Sequence, residues 1–154
     1  EVFSAEGLEY NWVQDNESYS GYGVIRGLHF QHPPKAQAKL IRVLEGNIYD
    51  VAVDIRKGSP TFGKWFGVEL SAENKLQLLI PKGFAHGFSV LSNFAKVLYK
   101  CDNQYDKAGE GGIMYNDADL NIDWKIQADK QIISDKDFKN PALKECNIQF
   151  TFER

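Results

Sequence analysis

The sequence predicts an all-β domain, built as a sandwich or a barrel, with a looser C-terminal segment. Aromatic residues make up 13% of the chain, and residues 20–102 show no sustained helical period. Turn-forming clusters recur about every 10 to 14 residues, close to the spacing that short strands have in β-sandwiches and barrels. These clusters occupy residues 45–47, 57–60, 71–74, 81–83 and 91–93.

The segments between the turns are predicted strands because their apolar side chains alternate along the chain. In residues 48–55, for example, Val51, Val53 and Ile55 share one face of the strand and Asp54 lies on the other. The predicted strands are residues 39–44, 48–55, 64–70, 75–80, 83–91 and 95–101.

The chain changes character after Cys101, where Asp, Asn, Gly and Lys become frequent, as is typical of loops. Residues 134–139 and 141–146 are predicted to be either short helices or irregular segments that wrap the domain. The length of 154 residues matches one domain of about 150 residues, so residues 1–154 are predicted to be a single domain. The first residues are of the kind found inside domains, and we expect an N-terminal segment before Glu1.

Composition excludes several classes of protein. The apolar share of 43% and the charged share of 25% are those of a globular chain, not of a disordered, collagenous or coiled-coil one. A net charge of −3 argues against non-specific nucleic-acid binding but leaves room for a local basic pocket that binds a phosphate group. No apolar run approaches the roughly 18 residues of a membrane span. The two cysteines show no pairing pattern, which indicates a reduced, cytoplasmic protein.

Histidine is the first candidate for chemistry, and the chain has three: His29, His32 and His86. A metal site would gather all three as ligands at the mouth of a barrel. Their spacing argues against it, because residues three apart point to opposite faces of a strand unless Pro33 and Pro34 bend the chain. The sequence also has no His-x-His pair. We therefore predict no metal site.

A histidine beside Leu and Phe is commonly a hydrogen-bonded core or turn residue, and that alternative stays open here. His29 differs because Arg26, Lys39 and Tyr99 accompany it. A neutral His is a suitable general base near pH 7, a Tyr with a pKa of about 10 can return a proton, and a Lys stabilises negative charge on oxygen. Cys101 is predicted to be a small buried residue, not a nucleophile. The chain has no Gly-x-Ser-x-Gly and no phosphate-binding glycine motif.

A series of ordered motifs resembles the dTDP-4-dehydrorhamnose 3,5-epimerase family of the cupin superfamily. The resemblance runs from Trp12 to Trp124 and resumes at Lys136 and Asp137. The motifs are VIRGLHFQ (24–31), AQAKL (36–40), DVAVD (50–54) with Arg56, SPTFG (59–63), LSAEN (70–74), IP (80–81), GFAHGF (83–88) and LYK (98–100).

The resemblance implies a jelly-roll fold and a homodimeric epimerase without metal or cofactor. The implied substrate is dTDP-4-dehydro-6-deoxyglucose, in which C3 and C5 both flank the C4 ketone, so that removal of either proton gives an enolate. By resemblance, His29 is the base, Tyr99 the acid and Lys39 the cation that stabilises the enolate. Asp137 would then hold and polarise the His29 ring.

The resemblance also implies how the substrate is bound. Gln14 and Asn16 should contact the nucleotide and Arg26 the diphosphate, while the remaining residues that should line the site are His86, Glu110 and Lys136. Many members of the family carry two adjacent tyrosines after the Tyr-Lys strand, whereas here Gln104 precedes Tyr105. The family's N-terminal segment reaches the site of the neighbouring subunit, and we expect the same of this protein.

Three other functions remain as alternatives. An epimerase that inverts only C3 or only C5 of a dTDP-sugar would need the same base, acid and lysine. A catalytically silent cupin that binds a sugar nucleotide would keep Gln14 and Arg26 but lose His29 or Tyr99, and both are present. A metal-dependent cupin enzyme would need the metal site that the spacing of the histidines argues against.

Overall fold

A computed structural model describes residues 7–153 and shows short β-strands with very little helix. A single α-helix in this range, α1 (Asp135–Phe138), follows the last strand. The strands are β1 (Gln14–Gly21), β2 (Val24–Gln31), β3 (Lys39–Glu45), β4 (Asn47–Asp54), β5 (Trp65–Ser71), β6 (Gln77–Ile80), β7 (Phe84–Val90), β8 (Phe94–Cys101), β9 (Glu110–Gly112) and β10 (Ile132–Ile133).

The strands form two sheets that pack face to face. The first has the order β1-β8-β3-β6, and the second has the order β10-β2-β7-β4-β5, with β9 also pairing with β2. Neighbouring strands are antiparallel, apart from the short parallel pair of β10 and β2. Many of them come from distant parts of the chain, as in a double-sheet jelly roll. The prediction of an all-β jelly roll is confirmed.

The six strands predicted from alternation are confirmed as β3 to β8, each within a few residues of its predicted ends. The prediction missed β1, β2, β9 and β10. β1 has the sequence QDNESYSG, whose side chains are polar on both faces of the strand. In β2 the register with β7 shifts between Arg26 and His29, which breaks the alternation of buried and exposed residues.

Two apolar clusters fill the fold on opposite faces of the second sheet. One lies between the sheets and includes Ile41, Val43 and Val97. The other lies on the outer face of the second sheet, where the C-terminal segment covers it, and includes Val51 and Val53. Since the cluster between the sheets occupies one end of that space, the other end is left to polar side chains.

The C-terminal segment contains a short helix in each of the two ranges, 134–139 and 141–146, that were predicted to be short helices or irregular segments. α1 begins after Ser134, whose hydroxyl accepts a hydrogen bond from the Asp137 N–H at 3.1 Å. A 3₁₀ turn follows at Leu143–Glu145. Within residues 7–153 no helix is long and apolar enough to cross a membrane. The expected segment before Glu1 lies outside the described residues.

Candidate active site

Two adjoining cavities open at the polar end of the space between the sheets, and His29, Lys39 and Tyr99 line both. They enclose about 140 and 150 Å³. The other residues of the first cavity are Gln14, Asn16, Phe30, Gln31, Gln37, Cys101, Tyr105 and Glu110. The other residues of the second are Ser18, Arg26, His86 and Phe88.

His29 forms a hydrogen-bonded pair with Asp137. The ring Nε2 lies 2.6 Å from Asp137 Oδ1, and the backbone N–H of Gly27 donates to Oδ2 at 3.1 Å. Asp137 is only 3% exposed. Burial alone raises the pKa of its carboxyl, but the hydrogen bond and charge of His29, the bond from Gly27 and the charge of Lys136 together hold that pKa below its usual value. The carboxylate is therefore charged at neutral pH and fixes the orientation of the ring.

Gly27 makes this arrangement possible through its backbone. Its φ of +125° is a conformation that L side chains rarely adopt, and a Cβ here would lie 2.6 Å from the Cα of Gly87. The glycine thus lets β2 pass close to β7 while its N–H points at Asp137. The position of the pair of His29 and Asp137 therefore depends on the close approach of β2 to β7 at Gly27.

His86 forms a second pair of the same kind, with Asp50. The distance from His86 Nε2 to Asp50 Oδ1 is 2.6 Å, and Asp50 is fully buried on β4. His86 lies on β7 directly opposite His29 on β2, so both rings face the cavities. Asp50 was not among the predicted site residues, although an acid on the inward face of a buried strand is a signal that could have identified it.

Tyr99 and Lys39 lie on the opposite sheet. The Lys39 ammonium is 5.8 Å from the centroid of the Tyr99 ring. Burial lowers the pKa of the Lys39 ammonium, and Cys101, Asp50 and Glu110 offset that shift only in part. Burial raises the pKa of the Tyr99 phenol, with a further contribution from Cys101 and a small opposing one from Arg26. The phenol therefore keeps its proton well above neutral pH.

Charged and amide side chains surround the mouth of the first cavity. The Lys136 ammonium lies 2.5 Å from Glu110 Oε1, and the Tyr105 hydroxyl donates to Glu110 Oε2 at 3.1 Å. Burial raises the pKa of Glu110, but the hydrogen bond and charge of Lys136, helped by the bond from Tyr105 and the charge of His29, together leave that pKa below its usual value. Gln14 donates to the Asn16 side-chain oxygen at 2.8 Å. Both acidic and basic groups are thus fixed at the entrance.

Arg26 and His32 take different positions. Arg26 lines the second cavity and donates from Nε to the Ser20 hydroxyl at 2.9 Å, and within residues 7–153 its remaining N–H groups have no side-chain partner. His32 instead packs against Phe30 and Phe150, with ring centroids 5.0 and 6.1 Å away. In residues 7–153 no three His, Cys, Asp or Glu side chains are grouped so that they could hold a metal ion.

The site therefore combines a carboxylate-oriented imidazole, a protonated phenol and a half-buried ammonium. This combination suits removal of a proton next to a carbonyl group, followed by its return from another direction. The family model for dTDP-4-dehydrorhamnose 3,5-epimerase matches residues 1–145 of the chain. The chain belongs to the dTDP-4-dehydrorhamnose 3,5-epimerase family.

Individual relatives agree with this membership in the epimerase family. A dTDP-4-dehydrorhamnose 3,5-epimerase of Shigella flexneri is 57% identical over 133 residues, covering 86% of this chain and 72% of that protein. The crystal structure of a dTDP-6-deoxy-D-glucose-3,5-epimerase from Legionella pneumophila, in complex with dTDP-4-keto-L-rhamnose, superimposes with a TM-score of 0.93. It is 46% identical and covers 99% of this chain and 81% of that one.

A relative with a narrower activity is also structurally similar to this epimerase-family protein. A 3'-monoepimerase from Streptomyces bikiniensis, solved with dTDP-quinovose, has a TM-score of 0.84 and 34% identity over 93% of this chain and 72% of its own.

All ten residues that the sequence analysis assigned to the epimerase site meet at the two cavities. Eight of them line the cavities, Asp137 contacts His29, and Lys136 contacts Glu110. The lining residues that it did not assign include Gln31, Gln37 and Tyr105. Cys101 is buried, as predicted, but its sulfur also accepts a hydrogen bond from the Asn16 amide at 3.7 Å. Gln104 is exposed and does not line either cavity.

Proposed function

We propose that the protein inverts C3 and C5 of dTDP-4-dehydro-6-deoxy-D-glucose to give dTDP-4-dehydro-L-rhamnose. The observation that carries this proposal is that His29, Tyr99 and Lys39 line the same two cavities. A base, an acid and a cation in one site are what an epimerisation next to a ketone requires.

His29 takes the proton from the substrate carbon. Since Nε2 lies against the charged carboxylate of Asp137, the ring proton belongs on Nε2 and the free lone pair is on Nδ1. Nδ1 accepts the C–H proton, and Asp137 stabilises the imidazolium that results. The electron pair of the broken C–H bond moves to the C4 oxygen as an enolate.

Lys39 and Tyr99 complete the reaction. The Lys39 ammonium stabilises the negative charge on the enolate oxygen. The Tyr99 phenol gives its proton to the same carbon from the opposite face, which inverts the configuration. His29 then loses its proton, and Tyr99 regains one by exchange with solvent. The same cycle operates at C3 and at C5, and it requires no metal or cofactor.

The remaining residues bind the dTDP-sugar. We assign Gln14 and Asn16 to the nucleotide. We assign Arg26 to the diphosphate, because only its Nε is bonded to a side chain of the described residues and the rest of the guanidinium can donate to an anion. We place His86 and Glu110 on the sugar side of the site as lining residues, and Lys136 beside them through its contact with Glu110.

The proposed assembly is a homodimer in which the N-terminal segment of one subunit reaches the site of the other. Light scattering of the protein at several concentrations tests this, and a mass of one chain throughout would contradict it.

A single-site epimerase is the second candidate function. The structural similarity to the 3'-monoepimerase from Streptomyces bikiniensis supports it. The base, acid and lysine serve either reaction, so the number of carbons inverted decides between the two functions.

The decisive experiment incubates the protein with dTDP-4-dehydro-6-deoxyglucose in deuterium oxide and reads C3 and C5 by NMR. Inverted product with deuterium at both carbons is the expected result. Label and inversion at one carbon would replace the proposal with a single-site epimerase. Bound substrate without label at either carbon would leave only a sugar-nucleotide-binding function.

A further inference from the structure

The loop that follows β8 carries Tyr105 at the entrance of the first cavity. Tyr105 is 54% exposed, lines that cavity and donates its hydroxyl hydrogen bond to Glu110. Every residue from 102 to 109 is exposed or only half-buried. Burial of apolar side chains therefore does not hold this loop in place, and its position must come from hydrogen bonds.

The ends of the loop are held by backbone bonds of Ala38 and His32, and three glutamine side chains supply bonds to the backbone of residues 103–106 between them. Gln31 Nε2 donates to the Gln104 carbonyl at 3.0 Å, and its Oε1 accepts from the Asp106 N–H at 2.8 Å. Gln37 Nε2 donates to the Asn103 carbonyl at 2.8 Å. The glutamines come from β1, β2 and the loop before β3, so they approach from different directions. The fourth bond runs from the Tyr105 N–H to Gln14 Oε1 at 2.7 Å.

Gln31 is the centre of this arrangement. It is 5% exposed, and its Nε2 also donates to the Lys35 carbonyl, so both amide hydrogens and the amide oxygen have backbone partners. A buried carboxamide with all its bonds made to backbone groups fixes those groups firmly, because losing it leaves several of them without partners.

We propose that Gln31 is a positioning residue for substrate binding that acts through Tyr105. Together Gln14, Gln31 and Gln37 form a glutamine clamp that holds the loop so that Tyr105 forms one wall of the substrate cavity. The effect on substrate affinity rests on the proposed function. The effect on the loop itself does not, since it can be measured without substrate.

The first test is Gln31→Met, which keeps the length of the side chain and removes its hydrogen bonds. Amide hydrogen exchange followed by NMR should show the Tyr105 and Asp106 amides exchanging about tenfold faster, as expected for the loss of bonds worth about 1.4 kcal/mol. Core amides such as Ile41 should be unchanged. Unchanged exchange at Tyr105 and Asp106 would overturn the clamp, whatever the activity of the enzyme.

Kinetics then test whether the clamp acts through Tyr105. Gln31→Met should raise KM about tenfold and change kcat little, and Tyr105→Ala should raise KM as well. In the double variant, Gln31→Met should add nothing further to the effect of Tyr105→Ala. Additive effects on KM would overturn the proposed action through Tyr105, even if the loop exchanges faster.

Two further variants complete the design. Gln131→Met is the matched control, because Gln131 also donates to a backbone carbonyl, that of Ile126 at 3.0 Å, but lies outside both cavities. It should leave KM and loop exchange unchanged. If Gln31→Met does not fold, Gln37→Met removes the single bond to Asn103 from a half-buried position. It should speed exchange in the same loop, and no change there would contradict the clamp.

Discussion

His29 and His86 lie directly opposite each other on β2 and β7, and each ring contacts a different buried carboxylate at 2.6 Å. Cross-strand partners face the same side of a sheet, so both imidazoles point into the cavities. Their carboxylates come from different directions. Asp50 belongs to the neighbouring strand, whereas Asp137 lies 108 residues beyond its histidine on α1. The C-terminal segment thus completes a site that is otherwise built from the two sheets.

The pairing of His29 with Asp137 predicts the effect of Asp137→Asn. An asparagine keeps the shape but loses the charge that fixes the tautomer of the neutral ring and, in the proposed mechanism, stabilises the imidazolium. We expect kcat to fall by about 10²- to 10⁴-fold. The affinity for dTDP should stay unchanged, because Asp137 does not line either cavity. Steady-state kinetics with calorimetric titration of dTDP measure both quantities, and an unaltered kcat would assign Asp137 a structural role only.

Tyr99→Phe separates proton removal from proton return. Without the phenol, His29 can still take the proton and give it back from the same face, so deuterium should enter the substrate while inversion stops. His29→Ala should abolish both exchange and inversion, at a cost of several orders of magnitude in rate. Mass spectrometry and NMR of the recovered sugar distinguish these results. Normal inversion by the Tyr99→Phe enzyme would place the acid elsewhere.

Lys39 should set the alkaline limit of activity. Burial lowers the pKa of Lys39 and raises that of Tyr99, so on raising the pH the lysine loses its proton first. We therefore expect kcat to fall on the alkaline side with the ionisation of Lys39, below the range of an ordinary lysine. Lys39→Met should lower kcat by about 10²- to 10³-fold and remove this limb of the pH profile. An unchanged alkaline limb in that variant would assign it to another group.

Much of the fold could be predicted because alternation of apolar residues reports burial. It located β3 to β8, in which inward side chains such as Val43 and Val97 build the core. It missed β1, whose inward residues are polar because they face the cavities. Asn16 and Ser18 are such residues, and they alternate with exposed polar ones. A strand that contributes three residues to the lining of the cavities is thus the one whose sequence least resembles a strand.

The site could be predicted residue by residue only through the resemblance, and the partners of those residues could not. Neither the contact of Lys136 with Glu110 nor that of His86 with Asp50 follows from spacing, because 26 and 36 residues separate the partners. Gln31 was missed for a related reason. Its three partners are backbone groups. Since nearly every residue carries the same backbone groups, the sequence does not show which of them a buried side chain will bond to.

The stability of the fold should depend on Asp54, which ends β4 and is 1% exposed. Arg56 donates to Asp54 Oδ1 at 2.9 Å and to Oδ2 at 2.7 Å, and the hydroxyls of Ser59 and Thr61 donate to Oδ2 at 2.6 and 2.7 Å. Burial raises the pKa of this carboxyl, but these hydrogen bonds, led by those from Arg56, hold it well below its usual value. The charged form therefore stabilises the folded state.

The pH dependence of that stabilisation has a definite sign. A carboxyl whose pKa is lower in the folded state contributes fully above its unfolded pKa of about 3.9, and the contribution is lost as the pH falls below that value. Asp54→Asn should lower the free energy of unfolding at pH 7 by about 3 kcal/mol, because it leaves Arg56 without its partner. The difference in the free energy of unfolding between the variant and the native protein should become smaller as the pH falls below about 4. Urea denaturation at pH 7 and pH 3 measures the loss of stability and its pH dependence. Asp123→Asn is the control, because Asp123 is exposed and its loss should change the free energy of unfolding little. An equal loss at both pH values would mean that the charge of Asp54 is not what stabilises this turn.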